Sequence, residues 1–239
     1  MATVKTMPRV VVFTGAGISA ESGLQTYRDK GGLWDEYPLH EVATPEAWQA
    51  TPERVLTFYT LRRRLVRQAQ PNAGHRALVD LQQHAQVRVI TQNIDDLHER
   101  AGSTQVLHLH GEIFWGRSSI DPACREYLGE RDIAMGDKAA DGSPLRPDVV
   151  WFGEPVPAMA QAVEWLADAD VLLIVGTSLA VYPAASLVEL APRSARRVII
   201  DPAAEEHAHR VDQCLPKPAS QGLLEWVAQF AQGRRLRKH

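Results

Sequence analysis

Residues Arg9 to Trp34, RVVVFTGAGISAESGLQTYRDKGGLW, constrain the fold more than any other stretch. An apolar β-run passes into a glycine-rich turn and then into a polar, loop-like segment. Val10 to Phe13 have the β-branched and aromatic content of a strand buried on both faces. Gly15, Gly17 and Ala20 follow in the G-x-G-x-x-A spacing that suits a dinucleotide. In that pattern Gly15 makes the tight turn, Gly17 lets backbone approach a pyrophosphate, Ala20 permits close helix packing, and the N-terminus of the next helix offers free N–H groups and a positive dipole end. Alone, the pattern also fits a strand-to-helix turn with no ligand. A hydride-transferring dehydrogenase needs a second strand ending in an acid about 20 residues on. Asp35 and Glu36 lie near that distance but follow Gly31, Gly32 and Trp34 with no period-2 apolar pattern, which weakens that reading.

Elsewhere β-type runs alternate with helical ones. The strand candidates are Arg9 to Thr14, Val87 to Thr91, Val106 to Leu109, Val149 to Phe152, Val171 to Val175 and Arg197 to Asp201. Helical patterns cover Glu53 to Ala69, His75 to His84, Ala158 to Ala167, Ala184 to Leu190 and Leu223 to Ala231. Strands joined by helices predict a doubly wound parallel α/β sheet, with ligands at the carboxyl ends of the strands. Gly15, Asn93, His110, Gly176 and Asp201 all fall at or just after such ends. Two stretches, Ser22 to Ala69 and Ile113 to Pro147, interrupt the alternation, and the second is rich in Gly, Asp, Ser and Pro.

With 239 residues, 45% of them hydrophobic, the chain can bury a full core. A net charge of -3 argues against a general nucleic-acid binder, and the cationic tail Gly233 to His239 reads as a solvated end. No apolar run approaches the roughly 18 residues of a membrane span, and no signal-peptide core follows Lys5. Cys124 and Cys214 form no disulfide framework. The cytoplasm is the expected compartment.

On a helical wheel for Glu53 to Ala69, Val55, Phe58, Tyr59, Leu65 and Val66 span one apolar arc with Arg62 near its middle; Arg63, Arg64 and Arg67 point elsewhere and read as a solvated basic face. A guanidinium aimed into apolar surroundings needs an anion or must snorkel out. Arg62 suits a carboxylate bidentately, and Tyr59, three residues earlier, can present its hydroxyl to the same group; an internal Asp or Glu partner is the alternative. His108 and His110 share a strand face, so a metal pair is conceivable, but no third ligand follows at a recognisable spacing. Asn93 and Asp95, taken alone, read first as helix caps.

Five blocks occur in order: GAGISAESG from Gly15, Thr91 to His98 (TQNIDDLH), His108 to Gly111 (HLHG), Phe152 to Glu154 (FGE) and Gly176 to Leu179 (GTSL). Together they resemble the sirtuins, NAD-consuming protein-lysine deacylases, over about Arg9 to Ala219. Tyr59 and Arg62 resemble the Tyr-x-x-Arg of the class III branch. The resemblance implies a Rossmann-like domain over residues 1–21, 70–112 and 148–239, and a smaller inserted domain over 22–69 and 113–147. It implies His110 as catalytic base and Asn93 as the residue ordering ribose and water. Nicotinamide would leave as the acyl oxygen attacks C1′, with His110 moving a proton of a ribose hydroxyl, giving lysine and 2′-O-acyl-ADP-ribose. Imidazole, titrating near pH 6.5, suits that proton.

By the same resemblance NAD is held by Gly15, Ala16, Gly17, Ile18, Ala20, Glu21, Tyr27, Arg28, Trp34, Gln92, Asn93, Ile94, Asp95, Gly176, Thr177, Ser178, Asp201 and Ala219. Tyr27 and Arg28 belong to the loop that covers it, and Ile94 and Asp95 meet the carboxamide. Substrate contacts fall to Tyr59, Arg62, Phe152, Gly153, Glu154 and Val181, the last four in segments that clamp an extended acyl-lysine peptide. His108 receives no role. Removal of succinyl or malonyl groups is implied, with deacetylation beside it; Ala43 before Thr44-Pro45 leaves room for longer acyl chains. Asp201-Pro202 departs from the family's Asn, and its carboxylate favours NAD over NADP. The second insertion usually binds a structural zinc through four cysteines. One thiolate, Cys124, cannot supply a tetrahedral site, so no structural zinc is expected. The same scaffold leaves open an ADP-ribosyltransferase or NAD hydrolase, or a non-catalytic NAD-sensing module. The sequence sets no oligomeric state.

Overall fold

A computed structural model describes residues 7–26 and 33–236, with side chains described as far as Gly233. Along the chain come β1 (Arg9–Thr14), α1 (Gly17–Ala20), α2 (Leu33–Glu36), α3 (Leu39–Val42), α4 (Pro45–Ala50), α5 (Pro52–Gln68), α6 (Ala73–Leu81), β2 (Gln86–Thr91), α7 (Leu97–Ala101) and β3 (Val106–His108). There follow β4 (Gly111–Ser118), β5 (Arg125–Tyr127), β6 (Leu145–Val149), α8 (Met159–Leu166), β7 (Val171–Val175), α9 (Leu187–Leu190), β8 (Arg196–Ile200), β9 (Gln213–Leu215) and α10 (Ala219–Leu236).

Six strands form a sheet in the order β3-β2-β1-β7-β8-β9, and every pairing in it is parallel. Alternate residues of β1 point to opposite faces. Val10 and Val12 pack with Leu78, Leu81, Leu173 and Trp226 beneath α6 and α10. Val11 and Phe13 pack with Leu166, Leu172, Ile174 and Leu187 beneath α8 and α9. Burial on both faces explains the unbroken apolar runs of β1 and β7. The order runs outward from β1 through β2 on one side and from β7 through β8 on the other, so it reverses between β1 and β7. A crevice opens at the carboxyl ends of strands at such a point.

A second, antiparallel sheet has the order β5-β4-β6. It lies largely where the sequence reads as a Gly-, Asp-, Ser- and Pro-rich interruption. Local composition hid it: Pro147 sits within β6, which tolerates it as an edge strand. The strand expected over Val149 to Phe152 is corrected to Leu145–Val149. Past Val149 the ladder ends because Trp151 N donates to the Glu154 carboxylate and Phe152 N to Ala43 O. The three-residue β9 at the sheet edge was too short to leave a pattern. The run Ala184 to Leu190 is a 3₁₀ turn followed by one turn of α-helix.

Helix α5 is gripped on two sides, which corrects the single apolar arc expected for it. Val55, Phe58, Tyr59 and Val66 join Tyr37, Ile113, Val149 and Trp151 in one apolar cluster, while Leu56 joins Leu128, Ile133 and Leu145 in another. Leu65, expected inside, is 47% exposed. Arg63, expected in solvent, is 1% exposed; its Nε donates to Ile113 O at 3.0 Å and its guanidinium pairs with Asp132 at 3.0 Å. Arg67 donates to Gly129 O, and Arg64 alone is exposed, also paired with Asp132. The supposed basic face is therefore the seam that joins α5 to the small sheet. Its carbonyl and carboxylate partners lie far along the chain and are invisible to a helical wheel.

Candidate active site in the crevice between β1 and β7

The crevice floor is three glycines packed against one another. A Cβ on Gly15 would lie 2.7 Å from Thr177 Cβ, and one on Gly17 would lie 2.7 Å from Gly176 Cα. Gly176 has φ +59, and a Cβ there would collide with the backbone of Gly17 and Ile18. Gly15 N donates to Val175 O at 3.0 Å and Gly17 N to Gly176 O at 2.8 Å. The glycines are thus required first by the close approach of the β1 and β7 turns. Helix α1 has only four residues, too short for the macrodipole expected at its start. Ala20, expected to pack against the strand, is exposed, whereas Ile18 and Ser19 turn inward.

The turn after β2 crosses this floor. Asn93 N donates to Thr91 Oγ1 at 3.0 Å, and its side-chain amide donates to Gly15 O and Ser19 Oγ, both at 3.2 Å. Ser19 Oγ donates in turn to Asp95 Oδ2 at 3.0 Å, and Leu97 N donates to Asp95 Oδ1. Burial of Asp95 raises its carboxyl above the usual range, opposed by these hydrogen bonds. The N-cap position of α7 is Asp96, which makes no side-chain cap; Asp95, one residue earlier, accepts from the first helical N–H while its other oxygen is tied to the β1 turn. Gln92 Nε2 donates to Thr177 Oγ1 at 3.0 Å, linking the β2 and β7 ends. Ile94 lies half-buried against the aromatic cluster.

His110 stands just past β3. Its Nδ1 lies 2.9 Å from Gln92 O. A carbonyl only accepts, so Nδ1 carries the proton and Nε2 keeps its lone pair. Burial lowers its pKa below the ordinary histidine value, keeping the ring neutral and able to accept a proton. His108, for which the sequence offered no role, lies 2.8 Å from Asn93 O through Nδ1 and 2.8 Å from Glu99 Oε1 through Nε2. Both partners are acceptors, so only the doubly protonated ring satisfies both. Hydrogen bonding and charge from Glu99 outweigh desolvation and raise its pKa. Spacing could not reveal this, because Glu99 reaches back from α7.

Above the floor, Tyr59 is buried and Trp151 Nε1 donates to its hydroxyl at 3.0 Å. Desolvation pushes the Tyr59 phenol up to about 12. The Arg62 guanidinium lies 5.1 Å from the Trp34 ring centroid and 5.8 Å from that of Phe58. Its Nε is buried without a hydrogen-bond partner, and burial lowers its pKa. Among the described residues it has no ion pair.

Other expected site residues divide. Ala16 and Ser178 are half-buried on the two turns, and Thr177 is buried. Asp201 sits at the end of β8, where its carboxylate accepts from Ala203 N at 2.8 Å. Glu21 points away from the floor: both its oxygens accept from Ser220, N–H and hydroxyl, at the start of α10 beside the buried Ala219. Phe152 is exposed and Gly153 has φ +90, while Val181 is half-buried in the segment after β7. The Glu154 carboxylate turns inward onto Arg146 and Arg117. Tyr27 and Arg28 lie outside the described residues.

The Sir2 family model matches residues 15–183. A Bacteroides thetaiotaomicron protein named NAD-dependent protein deacylase is 49% identical over 225 residues, covering 92% of this chain and 96% of that one. A Helicobacter pylori protein of the same name is 50% identical over 220 residues, covering 92% and 96%. Among solved structures, a Sir2 homolog–NAD complex superposes with a TM-score of 0.84 at 38% identity, covering 94% of this chain and 90% of that one. A Sir2 protein with deacetylated p53 peptide and 3′-O-acetyl ADP ribose gives a TM-score of 0.75 at 28% identity, covering 94% and 92%. With its glycine floor at the sheet's switch point, the Asn93–Asp95 turn after β2 and His110 held on Gln92 O, this chain belongs to the Sir2 family.

Proposed function

We propose that this chain is an NAD-dependent protein-lysine deacylase that favours acidic acyl groups, succinyl or malonyl, over acetyl. The donor set fits NAD. A buried carboxylate on Asp95 matches a carboxamide N–H₂, Asp201 matches ribose hydroxyls and disfavours a 2′-phosphate, and the Gly15 and Gly176 turns bring bare backbone to the crevice. Bound there, NAD supplies an activated ribose carbon from which nicotinamide can leave. His110 Nε2 takes a proton from a ribose hydroxyl and later returns it, while Gln92 O fixes the ring. Ser19 and Asp95 hold the Asn93 amide in place. Phe152, Gly153 and Val181 line the approach for an extended peptide. We place the protein in the cytoplasm, because two unpaired cysteines fit a reducing compartment.

The acyl preference rests on one observation: Arg62 is half-buried beside Tyr59, and its Nε is buried with no hydrogen-bond partner. A buried guanidinium in that state is completed by a carboxylate brought by the substrate. Arg62→Met should lower the succinyl-to-acetyl ratio of kcat/KM by about a hundredfold, as expected for a desolvated charge pair of about 3 kcal/mol. Peptide mass and nicotinamide release, followed with succinyl-, acetyl- and unmodified-lysine peptides, provide the test. An unchanged ratio removes the acyl preference, and nicotinamide release without peptide removes deacylation in favour of NAD hydrolysis.

A further inference from the structure

Trp151 is buried at the junction of three contacts that the catalytic turn does not use. Its indole N–H donates to the Tyr59 hydroxyl at 3.0 Å. Its backbone N–H donates to Glu154 Oε2 at 2.8 Å. Over its ring lies the Arg146 guanidinium, 3.3 Å from the centroid. Arg146 is itself fixed, donating to Glu154 Oε1 at 2.7 Å, Glu154 Oε2 at 3.0 Å and Val149 O at 2.8 Å. Arg117 adds a further donor to Glu154 at 3.2 Å. The inward turn of Glu154 therefore fixes the indole through Arg146 over its ring and through the Trp151 backbone N–H.

A tyrosine hydroxyl has one proton and two lone pairs, whereas an indole N–H only donates. The Trp151 contact must occupy a lone pair of Tyr59 and leave its proton to be offered elsewhere. We propose that Trp151 is a specificity-positioning residue: by donating to Tyr59 it turns the Tyr59 O–H toward the Arg62 side of the pocket, so that hydroxyl and guanidinium together receive an acyl carboxylate. The proposal rests on the acidic-acyl reading above. It accounts for a tryptophan where phenylalanine would serve for packing alone. The phenol, pushed up to about 12, remains a donor at every pH at which the fold operates.

Trp151→Phe keeps an aromatic ring under Arg146 and removes the N–H donor, together with some packing volume that the acetyl peptide controls for. With succinyl and acetyl peptides it should lower the succinyl-to-acetyl ratio of kcat/KM by about tenfold, chiefly through a higher KM for the succinyl peptide. Tyr59→Phe should do the same, and the double variant should lose no more than either single one. Equal losses for both peptides, an unchanged ratio or additive effects would overturn the proposal. If Trp151→Phe does not fold, the indole N–H resonance of ¹⁵N-tryptophan-labelled Tyr59→Phe protein decides: a Trp151 signal at its wild-type position refutes the contact, and a shifted one supports it. Arg62→Met run beside these separates the two ideas. A ratio that collapses there and holds in Trp151→Phe sinks this proposal alone, and a ratio that holds in Arg62→Met sinks the acyl reading itself.

Discussion

Two histidines two residues apart are given opposite protonation by their neighbours. His110 has one carbonyl acceptor and a buried ring, which keeps it neutral. His108 bridges two acceptors, Asn93 O and Glu99, which favour its charged form and raise its pKa. The pH dependence of kcat/KM should reflect both. Because His110 is lowered, activity should persist somewhat below pH 6.5 and fall only as pH drops through its depressed pKa; His110→Ala should cost about 10²–10⁴-fold in rate. Because His108 is raised, activity should fall again as pH rises through its pKa, when one of its two hydrogen bonds breaks and the Asn93 turn loosens. The groups acting on it are Glu99 from α7, Glu112 from β4 and the neutral His98. Glu99→Gln provides an amide that a neutral imidazole can satisfy, so the alkaline limb should shift or vanish while the acid limb stays. A pH profile of that variant with both limbs unchanged would remove His108 from the account. The motif singled out His110 in the sequence, but nothing local distinguished His108 from a bystander, since its partner is a carboxylate on another element.

Elements show the same division between what a pattern carries and what it hides. Strands β1 and β7 were legible because central parallel strands are apolar throughout. Strands β4 and β5 were not, because a small antiparallel sheet with one solvated edge reads as polar loop. Glycines 15 and 17 were rightly singled out, though their steric need comes first from the Gly176 turn. Gly17→Ala should therefore destabilise the protein by about 1–3 kcal/mol, measured by urea melts, even without ligand. With one cysteine, the small sheet relies on Leu128, Ile133 and Leu145 packing on Leu56, and on ion pairs of Arg125 with Glu112 and Asp148 and of Arg131 with Glu126 and Asp137. We expect elemental analysis to find less than stoichiometric zinc. Asp132→Asn should cost about 2–3 kcal/mol by leaving the buried Arg63 guanidinium short of its anion, and an unaltered melting midpoint would contradict this.

At the scale of the molecule, the parallel sheet buries two neutral histidines beneath the Asn93–Asp95 turn. His75 is lowered to about 4, mainly by desolvation, and His98 well below its usual value. His98 Nε2 contacts Thr14 Oγ1 at 3.1 Å and Thr14 donates to Thr91, so the pair sits under the ends of β1 and β2. Histidines neutral in the fold and charged when unfolded contribute stability that is complete above pH 6.5 and is lost as pH falls from there toward about 4. The raised Asp95 carboxyl works in the opposite direction. His75→Gln, which keeps an acceptor for Asn72 N, should flatten the pH dependence of unfolding free energy between pH 6 and 5 by about 1.4 kcal/mol per pH unit, the slope of one proton. An identical slope in the two proteins would rule out this origin of acid lability.

Helix α5 presents Tyr59 and Arg62 to the crevice on one flank and clasps Asp132, Gly129 and Ile113 with Arg63, Arg64 and Arg67 on the other. Transplanting those seventeen residues alone into a relative would strand three cations without hosts. A workable graft must carry the 113–132 stretch with it, so α5 and that stretch move through this scaffold as a pair of segments.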